Sequence, residues 1–329
     1  MENKPKILVV GSLVMDTIVT TKRFPEAGET ILGLGFSSAP GGKGANQAVQ
    51  MARLGAQVDM LGCVGKDDYG KALLESLESS GVNTERIAQR ENCTTAVASI
   101  QIEQRDNGTS QNRIIVVPGA NMAITKEDIA YLKKNISNYD MIVLQLEIPM
   151  EINELVAEYA HAANVPVMLN PAPMDTLSDN LINNVTYLSP NEVELALLLG
   201  NSDGYRDAYG IDMNKVESDV RLGLGDKLDK LLVTLGDCGS MLVTQKETTL
   251  CPAFSGINAV DPTAAGDSFV SSFCYAISAG IGEADAMRFS SAAAALTVSK
   301  HGAQPSLPCM EDVKSFLRER GEEKLLDIL

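Results

Sequence analysis

The stretch Val260-Asp261-Pro262-Thr263-Ala264-Ala265-Gly266-Asp267-Ser268-Phe269 runs through small residues to an acid, and an apolar segment of helical length follows over residues 268–279. Small side chains let backbone amides crowd around a guest, and Gly266 permits close approach or an unusual φ. Amides at a helix start have no intrahelical partner and sit at the positive end of the dipole, so the place suits an anion. A carboxylate beside a bound phosphate is repelled by it, and Asp267 therefore needs a task. It fits as a base that takes the proton of a hydroxyl attacking the phosphate. The alternative is a plain turn of small residues with Asp267 as a helix cap.

Other stretches carry groups of comparable interest. In Pro40-Gly41-Gly42-Lys43-Gly44-Ala45-Asn46, three glycines precede a segment of helical spacing over residues 47–54. They permit backbone contact with a polar ligand, with Asn46 in the first turn facing the same place. Asn170-Pro171-Ala172-Pro173 is a rigid turn after a strand, either a terminator or a substrate contact. Asn191 and Glu194 stand three apart at a helix start and so share a face. Hard oxygen ligands on that face suit a hydrated Mg2+. Thr234-Leu235-Gly236-Asp237-Cys238-Gly239 reads as a strand end, a two-glycine turn and a hairpin. Gly65-Lys66-Asp67-Asp68-Tyr69-Gly70-Lys71 matches GxxxxGK, but Ala72 stands where a Ser or Thr would hold Mg2+, and two aspartates would repel phosphates. It is read as a turn and helix start.

These groups need elements to position them. Strand-like and helical runs alternate: 58–63 then 69–79, 141–146 then 152–162, 165–169, and 185–188 then 191–199, with a further strand at 231–234. Repeated β-α units imply parallel strands, right-handed crossovers and helices on both faces. Ligands then bind beyond the carboxyl ends of the strands, where Glu147, Asn170, Asn191, Glu194, Thr234 and Gly236 fall. Runs at 17–21, 30–36, 96–102 and 113–117 have strand character without intervening helices. They are expected to form a small separate β-layer, the alternative being antiparallel edge strands of one large sheet. Residues 201–224 read as a surface connection with a helix from 214 onward, and alanine-rich 284–299 and amphipathic 310–320 as closing helices.

The chain of 329 residues suits one large α/β domain or a core with a smaller appendage. A net charge of −16 argues against a nucleic-acid partner. Six cysteines without a CxxC pair, and two distant histidines, exclude a standard zinc pattern and fit reduced thiols. The first residues lack a secretory leader pattern, and no apolar run approaches a membrane span. A soluble cytoplasmic protein is expected.

Taken in order, these motifs resemble the ribokinase branch of the PfkB carbohydrate kinase family along nearly the whole chain. Gly41-Gly42-Lys43-Gly44-Ala45-Asn46-Gln47-Ala48 is similar to the family's first signature and Asp261-Pro262-Thr263-Ala264-Ala265-Gly266-Asp267 to its second; the segment from Leu169 to Pro173 and the Asn191/Glu194 pair also match. The resemblance implies a three-layer α/β fold, mostly parallel in its central sheet, with a core of residues 1–11, 41–94 and 120–329. Residues 12–40 and 95–119 would form a small β-sheet lid that pairs two subunits into a homodimer. It implies ATP-dependent phosphorylation of the 5-hydroxyl of D-ribose. Asp267 would be the general base, and the amides of Ala264, Ala265 and Gly266 the anion hole. Asp16, Gly42, Lys43, Asn46 and Glu147 match sugar-binding positions. Asn191, Glu194, Thr234, Gly236, Gly239, Gly266 and Ser291 match the nucleotide side, with Mg2+. Asp261, Thr263, Thr297, Lys300, Gly302 and Ser306 match a loop for a monovalent cation, usually K+.

One position departs from the family pattern. Ribokinases usually carry Asn two residues before the sugar-binding aspartate, where Val14 stands. A lost neutral hydrogen bond is worth about 1 kcal/mol, enough to shift preference toward 2-deoxyribose without abolishing ribose use. A deoxyribokinase or another sugar or nucleoside kinase is the alternative. A non-catalytic sensor would have a degraded acid or cation loop, and neither is degraded. A dinucleotide-binding dehydrogenase lacks support because Gly11-Ser12-Leu13, and no GxGxxG, follows the first strand.

Overall fold

The structure, a computed structural model, describes residues 4–104, 110–207, 210–224 and 228–329. The first strand explains the architecture. In β1 (Lys6–Val10) every residue from Ile7 onward is buried. Ile7 and Val9 join one apolar cluster, Leu8 and Val10 another on the opposite face. A strand whose alternate residues enter two cores lies in the middle layer of three.

The chain continues through β2 (Val14–Thr21), β3 (Gly35–Gly41), α1 (Lys43–Arg53), β4 (Gln57–Gly65), α2 (Asp68–Ser79), β5 (Val82–Arg90), β6 (Ala96–Gln104) and β7 (Ser110–Val117). Next come α3 (Lys126–Ile129), α4 (Leu132–Asn135), β8 (Met141–Gln145), α5 (Met150–Ala162), β9 (Val167–Asn170), α6 (Asp179–Asn184), β10 (Tyr187–Leu188) and α7 (Glu192–Leu198). After a two-stranded pair, β11 (Arg206–Asp207) and β12 (Gly210–Ile211), follow α8 (Met213–Gly223), β13 (Lys230–Thr234), β14 (Ser240–Thr244) and β15 (Thr248–Cys251). Helices α9 (Ala265–Ser278), α10 (Glu283–Val298), α11 (Met310–Glu319) and α12 (Glu323–Leu326) close the chain.

The main sheet has nine strands in the order β15-β14-β13-β10-β9-β8-β1-β4-β5. It is parallel from β13 to β5 and antiparallel only where β14 and β15 return on β13. A second sheet, β3-β2-β6-β7, stands apart, so the four strand-like runs do form their own layer. Phe36 is 70% exposed on it and Ile115 66%.

Several boundaries differ from expectation. The strand expected at 30–36 is β3, which runs from Gly35 to Gly41 in register with β2 and carries the glycine motif's first residues. Helix α1 starts at Lys43, so Gly44 lies inside its first turn and only Gly41 and Gly42 precede it. A Cβ on Gly44 would lie 2.5 Å from the Ser12 amide nitrogen, which explains the glycine there. Helix α9 starts at Ala265 and therefore contains Gly266 and Asp267. Edge strand β5 was not anticipated because its sequence VNTERIAQR is mostly polar. Asp67 caps α2 through the Gly70 amide, as the turn reading of the GxxxxGK match requires. All six cysteines are free thiols. Among the described residues no helix is long and apolar enough to cross a membrane.

Candidate active site

The site lies at the carboxyl ends of β8, β9, β10 and β13, where α1, α7 and α9 begin. A cavity of about 210 Å³ there is lined by Lys43, Asn170, Ser189, Asn191, Glu194, Thr234, Ala264, Gly266 and Asp267, among others. Of the strand-end residues read from the sequence, Asn170, Asn191, Glu194 and Thr234 share this rim, whereas Glu147 and Gly236 do not line it.

Asp267 is the third residue of α9 and only 7% exposed. It does not cap the helix. That position belongs to Ala264, held in the left-handed region at φ 60° with no side-chain cap bond. The carboxylate instead turns to α1, where Asn46 Nδ2 donates to Oδ2 at 2.9 Å and Gln47 Nε2 to Oδ1 at 3.0 Å. Of the three amides expected to form an anion hole, that of Ala265 already donates to the Pro262 carbonyl at 3.2 Å. The hole is narrowed accordingly, while Ala264 and Gly266 line the cavity.

Gly42 is the hinge between β3 and α1, with φ 93°. A Cβ there would stand 2.7 Å from the Val14 nitrogen, so conformation and space both demand glycine. The tight turn brings the Lys43 amide to Glu147 Oε2 at 3.1 Å. The Ser12 hydroxyl donates to the same oxygen and accepts from the Gly44 amide at 3.2 Å. Asp16, from β2, faces this group. Burial pushes its carboxyl up to about 6, with repulsion from Glu147 adding to it.

Burial raises Asp267 above the usual carboxylate range, against Lys43 and the Asn46 and Gln47 donors that favour its ionised form; Glu147 pushes it up further. Burial works against the Lys43 ammonium, but Asp267, Glu147 and Glu194 together hold its pKa above the ordinary value. Burial likewise raises Glu194. The site is a half-buried lysine among carboxylates, the arrangement that makes pKa values responsive to an arriving charge.

At the other end, Asn191 Oδ1 accepts the Val193 and Glu194 amides at 2.9 and 2.8 Å, and Glu194 Oε2 accepts the Asn191 amide at 2.9 Å. This reciprocal cap fixes both side chains at the cavity wall. Asn191 also bridges to Thr234 of β13. Among the described residues no cluster of three or more His, Cys, Asp and Glu could cage a metal. Mg2+ does not require such a cluster, since it keeps waters and uses one or two carboxylates with substrate phosphates. Gly236 and Gly239 flank a short turn after Thr234, beyond the cavity wall. Ser291 sits on α10, 3.7 Å from the Cys251 sulfur, also off the cavity.

The expected cation loop is drawn together around Asp261. Its carboxylate accepts the Thr263 amide at 2.9 Å and the Gly302 amide at 2.9 Å. Burial alone would raise Asp261, but the bonds from Thr263 and Gly302 and the nearby His301 hold it below the ordinary value. The Asp261 amide bonds the Val298 carbonyl, and that of Lys300 the Thr297 carbonyl. Thr297 Oγ1 and Ser268 Oγ are hydrogen-bonded at 2.8 Å, tying α10 to the residue after Asp267. Ser306 closes on the Ala303 carbonyl.

Residues 4–310 match the pfkB family carbohydrate kinase. The chain belongs to that family. It is 38% identical to the ribokinase of Bacillus subtilis over 94% of this chain and 99% of that protein. It is 34% identical to the deoxyribokinase of Salmonella typhimurium over 94% and 98% of the two chains. The solved structure of Arabidopsis thaliana ribokinase complexed with ribose and ATP superposes with a TM-score of 0.85 at 33% identity, covering 96% of this kinase and 99% of that chain.

Sequence reasoning passed over Gln47, Gln145 and Ser12 of this carbohydrate kinase as individual residues. Gln145 ends the otherwise apolar strand MIVLQ and is fully buried. A polar residue at the carboxyl end of a buried parallel strand is the signal that could have found it.

Proposed function

We propose that this kinase transfers the γ-phosphoryl group of ATP to the 5-hydroxyl of D-ribose, with Asp267 as general base. The observation that carries the reading is Asp267 itself: a buried carboxylate whose two oxygens are held by amide donors, beside a lysine, at the start of a helix that lines the cavity. The sugar would lie toward Asp16, Glu147 and the Gly42-Lys43 turn, where two facing carboxylates can accept its hydroxyl protons. The phosphates would lie toward Lys43, Glu194 and the free amides of Ala264 and Gly266, and the base toward Gly236, Gly239 and Ser291. As the sugar hydroxyl attacks, Asp267 takes its proton while the helix start and Lys43 meet the charge spread over the transferred group. Mg2+ at Glu194 would neutralise phosphate charge, and K+ in the Asp261 loop would steady the start of α9. The four-stranded sheet, residues 12–40 and 95–119, would act as lid. Its exposed Phe36, Ile114 and Ile115 would pair with a second copy in a homodimer.

Asp267→Asn tests the reading. Turnover should fall by at least about 100-fold with sugar and ATP binding nearly intact. Wild-type turnover would remove the base assignment.

A second reading, 2-deoxyribose as the preferred sugar, has an observation of its own. Val14 is 4% exposed and packs with Ala96 and Ala98 two residues before Asp16. It offers no hydrogen bond to a ring hydroxyl. A rate comparison on ribose and 2-deoxyribose decides between the two.

A further inference from the structure

We propose that Gln47 is a positioning residue for the phosphoryl transfer, its amide set in one sense by Asn170 and Gln145 so that Asp267 is presented as an acceptor. The proposal rests on the reading of Asp267 as the base. Gln47 is fully buried on α1. Its Nε2 donates to Asp267 Oδ1 at 3.0 Å and to Asn170 Oδ1 at 3.2 Å, and its Oε1 accepts from Gln145 Nε2 at 2.7 Å.

The sense of this chain is fixed at its far end. Asn170 Nδ2 donates to the Ser189 backbone carbonyl at 2.9 Å, and a carbonyl can only accept. Asn170 Oδ1 must therefore face Gln47, and Gln47 must answer with its NH2 group. Reversing Gln47 would set its oxygen against two acceptor oxygens and its NH2 against that of Gln145. The fold tolerates a cost to keep this sense. Gln145 Oε1 is buried without a partner among the described residues, and it occupies the space beside Gly11, where a Cβ would come within 1.9 Å of it.

The consequence falls on Asp267. With Asn46 and Gln47 each donating to one oxygen, the ionised form is the one served, against the burial that favours the protonated form. The charged groups facing it are Lys43 from α1, Glu147 from the loop after β8 and Glu194 from α7. None of them can aim a lone pair as two fixed amides do. Gln47 touches neither substrate in this scheme; it acts through Asp267.

The test is the pH dependence of kcat with ribose and ATP for Gln47→Leu. Removing a donor from a charged acceptor should lower kcat about tenfold to a hundredfold. The acidic limb should move up by about one pH unit, and both KM values should stay within about threefold. An unmoved limb, whether kcat is retained or KM rises, would overturn the proposal and leave Gln47 a packing residue. If Gln47→Leu does not fold, Gln47→Asn, which keeps an amide but withdraws it by one methylene, is read by the same criteria. Asp267→Asn run alongside separates the two failures. Loss of turnover there with an unmoved limb in the Gln47 variants removes the positioning role alone, whereas retained turnover there removes the base and this proposal together.

Discussion

Asp16 is held at a cost that can be measured. Its ordinary value of 3.8 is raised to about 6 by burial and by Glu147. The folded protein therefore binds this proton more tightly than the unfolded chain, and the contribution to stability is full below pH 3.8 and declines as pH rises to about 6. The gap between the two values amounts to about 3 kcal/mol for the ionised side chain, an upper figure because solvent still reaches it. Asp16→Asn removes the charge and keeps the shape. The variant should equal the wild type in stability near pH 4, then gain on it through the window to a plateau of about 1–3 kcal/mol at neutral pH. On the reading that Asp16 holds the sugar, it should bind sugar less well, since the amide keeps one acceptor oxygen of two and no charge. Urea unfolding of both proteins at pH 4, 5, 6 and 8 reads the difference directly. A stability difference that does not change with pH, or a variant less stable than the wild type at pH 8, would refute the electrostatic account of this residue.

Three further outcomes follow from the geometry. Ala264→Gly removes a Cβ from a left-handed residue and should raise unfolding stability by about 1 kcal/mol in a thermal melt, an unchanged or lowered midpoint counting against strain there. Val14→Asn should raise the ratio of kcat/KM for ribose over 2-deoxyribose by about fivefold, with some loss of stability from a polar group among Ala96 and Ala98; an unmoved ratio would show that this side chain does not face the sugar. K+ should accelerate turnover over Na+ at equal ionic strength, and equal rates in the two salts would count against the Asp261 loop as a cation site.

The order of strands and helices was legible because burial imposes a period on the sequence. Ile7, Leu8, Val9 and Val10 can all be apolar only in a strand covered on both faces, and the polar residues that end such strands mark the rim. Asp267 was legible because a charge in a small-residue loop stands out. The amide network around it was not. Gln47 lies 98 residues from Gln145, 123 from Asn170 and 220 from Asp267, and neutral amides announce themselves neither by charge nor by period. Both signature helices start earlier than local preference indicates, at Lys43 and Ala265, because glycine and small-residue runs favour loop. Gly44 is a glycine inside the helix because the Ser12 backbone leaves no space for a side chain, a tertiary constraint that local preference does not register.

Strand β3 hands the chain to α1 across one residue, Gly42, and α1 carries both amides that grip Asp267. No slack exists between the outlying sheet and that first helical turn. A tilt of the sheet would thus be a torque on Asn46 and Gln47, and whatever settles the sheet would also set how they hold Asp267. On the reading of the sheet as a lid, such a lever would leave the enzyme idle toward water until a sugar is seated.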